Sequence, residues 1–207
     1  MAELIDHPCV QHKLAIIRDV ETGHKRFREL ATEITKFVCY EALKNIRTRE
    51  VTVQTPVAEA TCRKIDTDLV VVPILRAGVG MLEGILELVP NARVGFVGVY
   101  RDEGTKLPVT YYERFPKQTK GGTCIIIDPM LATGGSTVAT IDKLKENGAQ
   151  SIVVVCIVTC PEGIALVEAK HPDVVVYAAA IDEKLDEKKY IVPGLGDAGD
   201  RLFGTTH

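Results

Sequence analysis

The sequence predicts an α/β fold: a central parallel sheet flanked by helices, with a helical segment ahead of it and a projecting β-arm. Three observations carry this. From Leu69 onward, short aliphatic runs alternate with stretches of helical period, as in parallel strands joined by crossover helices. The runs, such as Leu69–Val72 and Ile125–Ile127, are continuously apolar, as strands covered on both faces must be. Runs of this kind lead into Arg76, Arg101 and Asp128, and open α/β sheets bind ligands outside the carboxyl ends of their strands.

The elements follow in order. Pro8 to Asp19 puts Val10, Leu14 and Ile17 on one helical face, and Thr22-Gly23 breaks the helix. From His24 to about Thr48, Phe27, Leu30, Ile34, Phe37, Val38 and Leu43 recur at helical spacing. Glu50–Thr55 and Val57–Cys62 alternate around Thr55-Pro56, a hairpin pattern. Leu69–Val72 is a buried strand, Val79–Val89 a helix stopped by Pro90, and Val94–Tyr100 the next strand. Lys106–Lys120 is polar and turn-rich, with Val109–Glu113 as one limb of an arm. Strands at Thr123–Ile127, Ser151–Val158 and Val174–Ala179 enclose helices at Ser136–Asn147 and Pro161–Lys170. Asp182–Lys189 is a charged connector. Tyr190–Gly204 is Gly-rich and has no helical period, but Tyr190, Ile191, Leu195, Leu202 and Phe203 give it apolar anchors.

Composition excludes several classes. A net charge of −3 gives no basic excess for nucleic acid, and the absence of Trp argues against a base-stacking platform. No segment approaches the roughly 18 apolar residues of a membrane helix, and MAELIDHPCV shows no signal-peptide pattern. Cys9, Cys39, Cys62, Cys124, Cys156 and Cys160 are scattered without paired spacing. They read as reduced packing residues of a cytoplasmic protein, not a zinc site.

The stretch IIIDPMLATGGST, Ile125 to Thr137, carries the most chemistry. Its glycines let main-chain N–H groups approach an anion at the start of the following helix. Asp128 stands at the strand end beside this turn, where a carboxylate can accept from sugar hydroxyls. Arg76, in Leu75-Arg76-Ala77-Gly78, suits a polyanion through its planar fork. Gly78-x-Gly80 after a strand also raises a dinucleotide fingerprint, but its third glycine falls on Glu83, with Gly84 one residue late. The five histidines form no catalytic spacing.

These motifs, with Pro193-Gly194-Leu195-Gly196-Asp197-Ala198-Gly199-Asp200-Arg201 in the same order along the chain, resemble the type I phosphoribosyltransferases and specifically the uracil phosphoribosyltransferase family. Many type I members carry two adjacent acids where this chain has Asp128-Pro129. The resemblance implies transfer of the phosphoribosyl group of PRPP to N1 of uracil, giving UMP and pyrophosphate in pyrimidine salvage. It implies catalytic roles for Arg76, Arg101, Asp128 and Asp197. PRPP contacts fall on these four and on Pro129, Met130, Leu131, Ala132, Thr133, Gly134, Gly135 and Ser136. Uracil falls to Ile191, Gly196, Asp197 and Ala198. Mg²⁺ comes on PRPP without a direct protein ligand, its water shell within reach of Asp197. The family also implies a homo-oligomer, dimer or tetramer, and some members are activated by GTP. It makes residues 1–207 a single domain: a core of about 63–181 and a hood from 1–62 and 182–207.

Two rivals follow from the same residues. A regulatory RNA-binding protein on this scaffold predicts a coherent basic face, against the net acidity. A dinucleotide-dependent oxidoreductase requires the fingerprint that Glu83 breaks.

Overall fold

The aliphatic runs form the middle of one sheet in a computed structural model that describes residues 1–101 and 108–205, with only the main chain of Arg101. Five elements lead: β1 (Ala2–Leu4), α1 (Pro8–Arg18), α2 (His24–Ala42) and the hairpin β2 (Thr48–Gln54)–β3 (Glu59–Ile65). The centre comprises β4 (Leu69–Leu75), α3 (Val79–Leu88), β5 (Arg93–Val94), β6 (Phe96–Arg101), β7 (Pro108–Arg114), β8 (Thr123–Ile127), β9 (Met130–Leu131) and α4 (Gly135–Glu146). The remainder is β10 (Ser151–Thr159), α5 (Pro161–Lys170), β11 (Val175–Ile181), β12 (Lys184–Leu185), β13 (Ile191–Val192) and α6 (Ala198–Phe203).

The main sheet runs β1-β11-β10-β8-β4-β6-β7, with β5 also on β4 and β9 also on β10. Every pairing is parallel except β6 with β7. Alternation across the strands divides the core. Val71, Ile125, Ile127, Val155 and Ile157 join Phe27, Leu30, Ile34, Met81 and Ile85 in one cluster, from α2 and α3. Val70, Val72, Ile126, Val154 and Cys156 pack with Ile141, Leu144 and Val167 of α4 and α5 in the other. Both faces are therefore covered, which is why these strands read as unbroken apolar runs.

Several boundaries shift for local reasons. The second helix ends at Ala42, not near Thr48: residues 43–45 turn the chain, with Lys44 N–H on the Glu41 carbonyl at 3.0 Å, before the β-branched strand TREVTVQ begins. The strand expected at Val94–Tyr100 divides at Gly95, whose N–H bonds the Val71 carbonyl at 2.9 Å. There a side chain would meet the Phe115 ring at 2.9 Å. β7 supplies the limb expected at Val109–Glu113 and pairs antiparallel with β6 at the sheet edge; Lys106 of the expected arm lies outside the described residues. Helix α6 is new relative to the sequence reading, since one and a half turns are too short to show a period. All six cysteines are unpaired, but Cys9 and Cys62 are exposed, on the first turn of α1 and on the β2–β3 hairpin. The packing role expected for all six holds only for the other four.

The two ends of the chain meet. Arg201 lies over the Phe27 ring at 4.5 Å and donates to the Leu195 carbonyl at 2.9 Å. Arg28 donates to the Leu202 carbonyl at 2.7 Å. Ile191, Leu195 and Leu202 are buried as expected, whereas Tyr190 and Phe203 stay partly in solvent. Tyr190 follows the positive-φ residue Lys189 in a turn held by Asp186, which accepts its N–H, so the ring turns outward.

Candidate active site

The acid and the glycine turn are held by the sheet itself. Asp128 directly follows β8, and its N–H donates to the Val155 carbonyl at 3.2 Å. The Pro129 carbonyl accepts from both Ile157 and Val158 N–H, and Met130–Leu131 pair as β9 with Val158–Thr159. Thr159 Oγ1 donates to the Leu131 carbonyl at 3.0 Å, and Cys160 Sγ approaches the Ala132 carbonyl at 3.3 Å. The loop after β8 is thus pinned residue by residue to β10. The Leu131 side chain is in the core, so what this position can offer a ligand is main chain.

Gly134 then turns the chain into α4 with φ of 82°, a left-handed conformation that glycine adopts without strain. Gly134 is the residue before α4 and caps it with no side-chain bond, so the first amides of the helix face the turn at the positive end of its dipole. Thr133, Gly135 and Ser136 are partly exposed around it. Thr137, the last residue of the stretch IIIDPMLATGGST, is buried. From below, the start of α5 closes on the turn: a side chain at Gly163 would meet the Ala132 carbonyl at 2.5 Å and the Leu131 carbonyl at 2.7 Å. Nothing in the sequence around Gly163 signals this contact.

Asp128 is half-buried, with most of its surroundings protein and part of its surface open at the rim. Its carboxylate accepts one long hydrogen bond, from Met130 N–H at 3.4 Å. Burial pushes its carboxyl up to about 7, only partly opposed by that N–H. Sugar hydroxyls would supply the donors that the protein withholds.

Arg76 lies on the neighbouring strand end. β4 pairs with β8 through Pro73↔Ile127, so the turn after β4 stands beside Asp128. The Leu75–Arg76 peptide is cis. Gly78 closes the turn so tightly that a side chain would meet the Ile127 carbonyl at 2.4 Å. Gly84, the misplaced glycine of the fingerprint, instead lets α3 approach α2, where a side chain would meet the Thr32 carbonyl at 2.5 Å. The Arg76 guanidinium is 61% exposed and lies 3.4 Å from Asp200 in α6. β6 continues the rim on the other side of β4 and ends at Arg101, whose side chain lies outside the described residues.

Asp197 caps α6, accepting from Asp200 N–H at 2.9 Å while remaining exposed. Gly196 beside it is exposed, with φ of 73°, and Ala198 and Ile191 have buried side chains. The structure therefore brings Arg76 against the Asp197–Asp200 turn, and both onto the rim that carries Asp128. Arg18 and Asp182, which hold the C-terminal segment in place, carry no sequence signal: they are joined only in the fold.

The family model for uracil phosphoribosyltransferase matches residues 4–205. A uracil phosphoribosyltransferase from Halalkalibacterium halodurans is 55% identical over 203 residues, 98% of this chain and 97% of that protein. One from Dictyoglomus thermophilum is 52% identical over 206 residues, 99% of this chain and all of that protein. A solved protein from Aquifex aeolicus superposes with a TM-score of 0.94 at 38% identity, over 100% of this chain and 99% of its own. A hypoxanthine-guanine phosphoribosyltransferase from Bacillus anthracis, at 11% identity and a TM-score of 0.54 over 77% of this chain and 80% of its own, shares the fold. With more than half of the residues identical along nearly the full length of both chains, this chain belongs to the uracil phosphoribosyltransferase family.

Proposed function

We propose that the chain performs its family's reaction, uracil + PRPP → UMP + pyrophosphate, with the rim divided between sugar phosphate, leaving group and base. The observation that carries the assignment is the half-buried Asp128, its carboxyl raised by its surroundings, beside the start of α4, which no side chain caps. The Thr133–Ser136 turn holds the 5′-phosphate through main-chain N–H groups and hydroxyls, while Asp128 accepts from the ribose hydroxyls. Pro129 to Ala132 form the pinned floor between them.

Uracil N1 attacks C1′ as pyrophosphate departs, so positive charge grows on the sugar and negative charge on the leaving group. Arg76, exposed at the end of β4, offsets the negative charge, and Arg101 at the end of β6 is assigned the same side. Mg²⁺ would be carried by the diphosphate, a mode that needs few protein ligands. Asp197, exposed and with a carboxylate oxygen engaged by Asp200 N–H, suits contact with the ion's water shell rather than a closed cage. When bound, the ion supplies further charge neutralisation to the leaving group.

Residues 182–204, fastened to α1 and α2, act as the hood that carries the base site at Ile191 and Gly196–Ala198. The whole chain then works as one domain. No helix of the described residues is long and apolar enough to cross a membrane, and six unpaired cysteines suit the reducing cytoplasm. A homo-oligomer and activation by GTP complete the reading and are checked by light scattering and by rate with and without the nucleotide.

The test is product formation from PRPP and Mg²⁺ with uracil, cytosine, hypoxanthine and adenine in turn. UMP from uracil alone is expected. A purine product would overturn the base site, and no product with any base, with or without GTP, would overturn the reaction.

A further inference from the structure

We propose that Arg18 and Asp182 are positioning residues for base recognition, acting through Gly194; the inference rests on the hood reading above. Asp182 follows β11 and is anchored to the sheet by its N–H, which donates to the Thr159 carbonyl at 2.7 Å. Its carboxylate is almost fully buried and receives Arg18 as a fork: Nη2 on Oδ1 at 2.7 Å and Nη1 on Oδ2 at 2.8 Å. Arg18 is the last residue of α1, where a basic side chain commonly does no more than complement the helix dipole. This one instead leaves its helix for another part of the chain.

Both groups converge on the same hood residue. Gly194 N–H donates to Asp182 Oδ2 at 2.8 Å, and the Gly194 carbonyl accepts from Arg18 Nη1 at 2.9 Å. The pair therefore reads the donor and the acceptor of a single peptide residue. Gly194 cannot relax by taking a side chain: its φ is 64°, and a Cβ would stand 2.1 Å from the Ile191 carbonyl. It lies between Ile191 and the Gly196–Ala198 stretch, the two parts of the segment assigned to uracil. Holding Gly194 from both sides fixes their separation and orientation relative to the sheet that carries the sugar-phosphate half. A second arginine acts in the same sense, since Arg201 donates to the Leu195 carbonyl at 2.9 Å. Lysine at position 18 keeps the charge but has one nitrogen and no planar fork, so it cannot reproduce the paired bonds that two guanidinium nitrogens make to the carboxylate.

The test compares the unaltered chain with Arg18→Met, Arg18→Lys and Asp182→Asn, measuring KM for each substrate separately together with kcat. The expected result is a rise of about tenfold or more in uracil KM for Arg18→Met and Asp182→Asn, with PRPP KM within about twofold. Arg18→Lys should fall between, as a partial rescue. An equal rise in both KM values, or a loss confined to kcat, would show a general structural role and overturn the proposal. Unchanged constants would overturn it too. Should Arg18→Met or Asp182→Asn fail to fold, Arg18→Lys, which keeps the charge, decides alone. An unaltered chain that makes no UMP removes the uracil reading and this role with it, a result distinct from an active chain whose variants leave uracil KM unmoved.

Discussion

Arg76 reaches from the turn after β4 to within 3.4 Å of the Asp200 carboxylate, joining the sheet rim to the last helix. The arginine is 61% exposed, so the pair contributes little to stability. Its value is geometric: it keeps a guanidinium extended over the place assigned to the leaving group. Arg76→Ala is expected to lower kcat by about 10²–10³-fold while changing Tm by no more than about 2 °C. Steady-state kinetics and a thermal melt check this, and near-normal turnover would remove Arg76 from the leaving-group role.

Asp128 makes stability and activity pull against each other. Its carboxyl is raised from 3.8 to about 7 in the folded chain. The folded state therefore holds a proton that the unfolded state has released. The resulting stabilisation is fully present below pH 3.8 and is lost as pH rises through about 7. Asp128→Asn should match the unaltered chain near pH 4 and exceed it above pH 7, by on the order of 1–4 kcal/mol. The same variant should raise PRPP KM far more than uracil KM, because the ribose hydroxyls lose their carboxylate. Denaturant melts across pH and paired kinetics test both halves; a variant less stable at pH 8 contradicts the burial argument.

Asp197 caps α6 and is assigned a second duty at the leaving group, and one substitution can separate the two. Serine caps helices nearly as well as aspartate, so Asp197→Ser should keep the bond from Asp200 N–H and leave Tm nearly unchanged. It removes the charge, and the rate should fall about tenfold or more if the carboxylate serves the Mg²⁺ water shell. Full activity in Asp197→Ser would reduce the residue to a helix cap.

Gly163 lies against the turn assigned to the phosphate, from outside it. Gly163→Ala places a methyl 2.5 Å from the Ala132 carbonyl, closer than any relaxed contact. The turn or α5 must move, at a cost of about 1–3 kcal/mol. The expected signature is weaker PRPP use at lower Tm, although the substituted residue belongs to no motif. Unaltered PRPP KM would show that the loop accommodates the methyl.

Legibility in the sequence followed chain distance. Asp128 and the Thr133–Ser136 turn were readable because strand, acid, glycine and helix are consecutive, and their periods and φ demands are local. The parallel core was readable because strands covered on both faces must be apolar throughout. α6 escaped because six residues display no period, and Cys9 and Cys62 were misread because burial depends on which face a neighbour covers. Gly163 and the Arg18–Asp182 pair escaped for a different reason. Their significance lies wholly in contacts across the fold, the latter spanning 164 positions of chain.

The clipping of Asp128 to Leu131 onto β10 makes part of the rim continuous with the most deeply bonded strands of the sheet. Amides there are expected to exchange with deuterium only when the sheet itself opens, while those of residues 191–204, held by the two-residue β12–β13 pair, the Asp182 carboxylate and the short α6, need only local opening. On the proposed reading, the molecule thus separates a sheet-bonded half, assigned to the sugar phosphate, from an attached half assigned to the base. Descent with a changed base preference could then proceed by replacing the attachment alone, leaving the sheet and its phosphoribosyl chemistry as inherited.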